Sequence, residues 1–136
     1  ALPQPDFDRL LWCTDLNFVR GEASAVRALW AGSPHIWQIY EQDDGVHATK
    51  LAAFMDRWMA HWPADLRQMV STLWAEWNQL PALTLPHRPP DLSTLTPLLS
   101  PETWALWCQF SQKSRDDQAL EPDLCTQLLA FVTSAG

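Results

Sequence analysis

Glycine is scarce in this chain, with four in 136 residues. Gly21, Gly32 and Gly45 stand alone as breaks and Gly136 ends the chain, so no glycine-rich loop is present to cradle a phosphate. Cysteine is equally thin. Cys13, Cys108 and Cys125 make an odd count without a CxxC pair, which excludes a disulfide framework or a zinc site and leaves sulfur as a small core hydrophobe. Charged residues reach only 18 %, against about 25 % in an ordinary domain. Basic residues are few and scattered from Arg9 to Arg115, and the net charge is −7. No stripe of Lys and Arg could follow a phosphate backbone, so nucleic acid is not an expected partner. No apolar run approaches the roughly 18–20 residues of a membrane span, and Ala1–Pro5 has neither the charged start nor the apolar core of a signal peptide. A cytoplasmic location is the expectation. Low lysine beside several arginines, with frequent Ala, Leu, Pro and Trp, points to a GC-rich bacterial genome.

What the chain has in quantity is tryptophan, nine in all. Trp58 and Trp62 lie four apart, and the pairs Trp74–Trp77 and Trp104–Trp107 lie three apart, so on a helix each pair shares a face. Burying an indole removes about 150–250 Å² from water, worth roughly 4–6 kcal/mol at about 25 cal/mol per Å². Tryptophan therefore dominates whatever it packs against, whether core or partner.

Helical spacing recurs along the chain and sustained strand alternation does not, which predicts an all-α fold: a compact bundle of six or seven helices in a single domain. Asp6–Phe18 and Glu22–Ala31 are the first two helices, stopped by Gly21 and Gly32. Ser33-Pro34 supplies a cap and a proline start for a third, through Ile36, Trp37, Ile39 and Tyr40, broken at Asp43-Asp44-Gly45. The series Leu51, Met55, Trp58, Trp62 and, beyond Pro63, Leu66, Val70, Leu73, Trp77, Leu80 runs at spacings of three and four. It predicts a central antiparallel helical hairpin over 46–80. Six of the eleven prolines fall between Pro81 and Pro101, so 81–100 is read as a stiff, proline-rich crossover with one turn near Leu95–Leu99. Ser100-Pro101-Glu102 then starts a C-terminal helix pair over 101–134. Trp74-Ala75-Glu76-Trp77 is echoed thirty residues later by Trp104-Ala105-Leu106-Trp107; without a third copy this reads as two core helices using one solution.

No constellation for catalysis emerges. Glu41, Asp43, Asp44 and His47 form the densest polar cluster, but the spacing fits no metal-binding motif and reads as a solvated helix break. His35 and His61 read as ordinary surface or boundary residues. The three cysteines lie in apolar stripes, away from the positive charge that activates a thiol. No catalytic residue, cofactor or metal is therefore expected. The chain is read as a non-enzymatic protein-binding module, an adaptor, assembly chaperone or inhibitor, with another protein or a second copy of itself as partner. The alternatives are a homodimeric structural protein and a small-molecule-binding or catalytic helical domain. The expected contact surface is aromatic and weakly acidic: Trp30, Trp37, Tyr40 and Trp74, rimmed by Glu41, Asp43 and Asp44.

Overall fold

The computed structural model describes residues 2–80, 92–120 and 124–134. It is mostly helical, with α1 (Gln4–Cys13), α2 (Glu22–Ala31), α3 (Val46–Trp58), α4 (Ala64–Trp77), α5 (Pro101–Ala119) and α6 (Leu124–Ser134). Two short strands, β1 (Asn17–Arg20) and β2 (His35–Gln38), flank α2 and pair in parallel, with Asn17 opposite His35 and Arg20 opposite Gln38. The all-α expectation is corrected here. Residues 17–18, read as the end of a first helix, and 35–38, read as a third helix, are strands.

The reasons are local. Thr14 turns its hydroxyl back onto the Leu10 carbonyl at 3.0 Å and also donates to Asn17, while Asn17 Nδ2 donates to the Leu11 carbonyl at 3.1 Å. These side chains occupy α1's last carbonyls and stop it at Cys13. Past Ser33, the Pro34 carbonyl accepts from the Asn17 amide at 3.0 Å, and a parallel ladder begins where a helix had been expected. His35, Ile36 and Trp37 are all buried, the mark of a strand covered on both faces, and a β-branched and aromatic run suits it.

Residues 1–40 with 111–136 form one compact unit and residues 41–110 another. In the first, α2 crosses over between the two strands, and its buried Ala25, Ala28 and Leu29 share the core with Leu11, Ile36 and Trp37. Gly32, at φ +75°, caps α2 by donating to the Leu29 carbonyl at 3.1 Å. The Arg115 guanidinium lies over that corner, 3.5 Å from the Ala31 carbonyl, where α2's C-terminal dipole favours a cation.

In the second unit α3 and α4 occur where the three-and-four spacing put them. The aromatic core of this unit is Phe54, stacked on Trp58 at 6.3 Å and on Trp74 at 5.7 Å. Arg67 on α4 pairs with Asp56 on α3 at 2.6 Å. Ser100 and Pro101 start α5 as expected, the Ser100 carbonyl accepting from Trp104 at 2.8 Å. The helix then runs to Ala119, since nothing from Ser114 to Ala119 breaks it and Lys113 pairs with Asp117 one turn on at 2.8 Å. Of the crossover, residues 92–99 form two 3₁₀ turns and 81–91 lie outside the described residues.

Candidate active site

The parallel β1–α2–β2 unit gives the chain a site that the sequence did not advertise. In sheets of parallel strands joined by helices, ligands bind beyond the carboxyl ends of the strands, where the crossover helix begins. Here that edge holds Arg20, Gly21 and the first turn of α2, with Tyr40 two residues past β2. Gly21 has φ +79°, and a Cβ there would come within 3.2 Å of Tyr40 Cε2. Glycine is thus required twice, for its backbone and for the close approach of the tyrosine ring.

The Arg20 guanidinium lies 5.0 Å from the centre of the same ring, a cation–π contact that fixes the cation at the mouth of the unit. α2 opens at Gly21 with no side-chain cap hydrogen bond, and a helix start carries the positive end of the helix dipole. Together they form a corner that suits an oxyanion: one oriented guanidinium and a helix start. Glu22, in that first turn, adds an acceptor for hydroxyl groups.

Below the corner, a cleft of about 410 Å³ runs along α2, lined by Asp8 and Trp12 of α1, Ala23, Val26, Arg27 and Trp30 of α2, and Leu129 of α6. Trp12, 66 % exposed, and Trp30, 36 % exposed, form its aromatic walls.

The residues expected at a contact face divide. Trp30 and Tyr40 are partly exposed, as a contact residue must be. Trp37 and Trp74, each 1 % exposed, are core and cannot present a ring to a partner. Glu41, Asp43 and Asp44 are exposed and belong to the 41–110 unit. Asp44 accepts from the Val46 amide at 3.1 Å and His47 Nδ1 from the Gln42 amide at 3.1 Å, so this loop starts α3, as a helix break should. Among the described residues no group of three His, Cys, Asp or Glu side chains is placed to hold a metal. Cys13 is exposed and Cys108 half-buried. His35, read as a surface or boundary residue, is 2 % exposed at the head of β2, and burial lowers its pKa to about 4, opposed by a 3.4 Å hydrogen bond to the Ser33 carbonyl. It is neutral at pH 7.

Arg20 and Gly21 are the candidate site residues that the sequence reading missed. Gly21 had been read only as a stop. The available signal was Leu16, Phe18 and Val19 shortly before a lone glycine that opens a helix, answered by Ile36, Trp37 and Ile39.

Such a strand–glycine–helix corner is common to enzymes that handle phosphorylated and nucleotide-linked substrates, and the proteins this chain resembles are named as glycosyltransferases. Residues 1–133 match the family model described as Elongation-Factor P (EF-P) rhamnosyltransferase EarP, and the chain belongs to that family. It is 39 % identical over 135 residues, 96 % of its length, to a protein-arginine rhamnosyltransferase of Pseudomonas aeruginosa, covering 32 % of that protein. A Shewanella oneidensis protein of the same name is 35 % identical over 129 residues, 95 % of this chain and 31 % of its own. A solved structure reported as the structural basis for EarP-mediated arginine glycosylation of translation elongation factor EF-P superposes with a TM-score of 0.72 at 32 % identity, covering 100 % of this chain and 39 % of that one. The chain thus spans about a third of the length of the curated relatives it matches.

Membership in this family overturns the expectation of a non-enzymatic adaptor, assembly chaperone or inhibitor: the relatives are named as enzymes. The physical reason is that nucleophiles, metal clusters and glycine loops are the parts that leave a signature in sequence, and this sequence offers none of them. An arginine, one glycine and a helix start leave no motif.

Proposed function

We propose that this chain is part of an enzyme that transfers a rhamnosyl group to an arginine side chain of EF-P, and that the Arg20–Gly21 corner holds the anionic leaving group of the sugar donor. In that transfer the bond from the sugar's anomeric carbon to the leaving oxygen breaks, a guanidinium nitrogen forms the new bond, and the nitrogen gives up a proton. A guanidinium is a weak nucleophile, because its lone pairs are delocalised and it carries a charge. The reaction therefore leans on a leaving group whose growing negative charge is stabilised where it forms. Arg20, held over the Tyr40 ring at 5.0 Å, and the opening amides of α2 are suited to that role.

The observation that carries the reading is the parallel β1–α2–β2 unit with its positive-φ glycine at residue 21, within a chain of this family. The expected protein partner is then the acceptor, EF-P, and a cytoplasmic setting follows from a partner that serves translation. No described helix is long and apolar enough to cross a membrane.

The test is steady-state kinetics on an intact enzyme containing this segment. Losing a charge-assisted contact costs about 1.5–3 kcal/mol, or roughly 10–100-fold. Arg20→Ala should weaken use of the donor by that factor and leave the KM for EF-P within about twofold. A donor KM and kcat unchanged by Arg20→Ala would overturn the assignment.

A further inference from the structure

Asp8 on α1 and Arg27 on α2 lie beside the corner and make a close polar contact with each other. Arg27 Nη1 reaches both carboxylate oxygens of Asp8 at 2.6 Å, and Arg27 Nη2 lies 2.6 Å from the side-chain oxygen of Gln4 once that amide is turned to face it. Gln4 and Asp8 are four residues apart on α1, on one face, and together form a two-pronged acceptor for a single guanidinium. Arg27 is one helical turn beyond Ala23, in the first turn of α2, and both line the same cleft.

Half-exposed ion pairs of this kind add little to stability. Their geometric effect is larger, because a planar guanidinium caught at both edges has one orientation. The pair therefore fixes α2 against α1 within one turn of the amides that open the helix.

We propose that Arg27, gripped by Asp8 and Gln4, is a positioning residue for the Arg20–Gly21 corner: it holds the start of α2 in the geometry that receives the donor's leaving group. The inference rests on the donor-site reading above. A first turn displaced by a fraction of an ångström aims its amides poorly, and binding of a small anion falls accordingly.

Simple electrostatics and positioning predict opposite signs for one substitution. Asp8→Asn removes a negative charge near the corner, so electrostatics alone calls for tighter anion binding. Positioning calls for weaker binding, because Arg27 loses its bidentate partner. The experiment is calorimetric titration of the full chain with inorganic pyrophosphate, with a thermal melt of each variant. Asp8→Asn and Arg27→Lys should each weaken pyrophosphate binding about three- to tenfold while shifting Tm by no more than about 3 °C. The charge swap Asp8→Arg with Arg27→Asp should recover at least half of that loss, since it restores a pair on the same two helices. Unchanged or tighter binding in Asp8→Asn and Arg27→Lys overturns the positioning role while Arg20→Ala still weakens binding roughly 10–100-fold. Should Arg20→Ala also bind as the parent does, the donor-site reading itself falls and the positioning role with it. If Asp8→Asn does not fold, Arg27→Lys, which keeps the charge and most of the volume, decides alone.

Discussion

His35 shows at a single residue how burial turns into pH dependence. In the unfolded chain the imidazole titrates near 6.5, whereas in the folded protein burial holds it down to about 4. As pH falls from 6.5 toward 4 the unfolded state takes up the proton first, so stability declines across that window and the loss levels off below it. The full shift corresponds to about 3 kcal/mol at most. Urea melts at pH 7, 5.5 and 4 should show the native protein losing more stability than His35→Gln, whose side chain does not titrate. Parallel pH profiles would refute the burial argument. Gly32 is the second residue where one atom decides. At φ +75° an alanine is strained by about 1–2 kcal/mol, and its Cβ would collide with the Arg115 guanidinium. Gly32→Ala should lower stability by about 2 kcal/mol or more, of which the part due to collision should return in Gly32→Ala with Arg115→Ala. A purely additive double mutant would leave strain as the whole cause.

At the scale of elements, the aromatic stack of α3 and α4 separates core tryptophan from surface tryptophan. Trp74 is fully buried against Phe54 at 5.7 Å, and Trp74→Ala should cost about 3–5 kcal/mol. Trp30, at the edge of the cleft, should cost less than half as much; denaturant midpoints of the two variants compare them directly. The same contrast explains which elements were legible in the sequence. α3 and α4 were, because thirteen and fourteen residues allow several turns of three-and-four spacing to accumulate. Four-residue strands hold two alternations at most, and Phe18 and Trp37 fell at helical distances from apolar neighbours by chance. The proline-start rule worked at Pro101 and failed at Pro34, where the residue after it found a strand partner in Asn17. Tryptophan exposure was the least legible of all. Trp12 never entered the expected contact face, and Trp37 and Trp74 did, because spacing within one helix does not say which neighbour covers it. For the site the limit was different in kind. Arg20 and Gly21 acquire meaning only once β1 and β2 lie side by side, and that pairing is written in no local pattern.

For these 136 residues taken together, net charge sets a condition on the corner that no single residue reveals. The chain carries −7 and has a pI near 4.8, yet the reading above asks it to bind an anion. Two opposing terms then act on an approaching leaving group. The general field repels it over a Debye length, about 10 Å at 0.1 M salt, while Arg20 and the start of α2 attract it at contact distance. Added salt screens both, but it relieves the long-range repulsion along with weakening the short contact. The salt dependence should therefore be shallow: between 20 and 200 mM NaCl the affinity for pyrophosphate should change by less than about threefold, unlike the steep loss at a basic patch. In Arg20→Ala only repulsion and the helix start remain, so any residual binding should tighten as salt rises. Calorimetry across that range reads both slopes. A tenfold loss in the parent chain would mean that a local positive field outweighs the acidic whole, and would place the attraction in more cations than Arg20 alone.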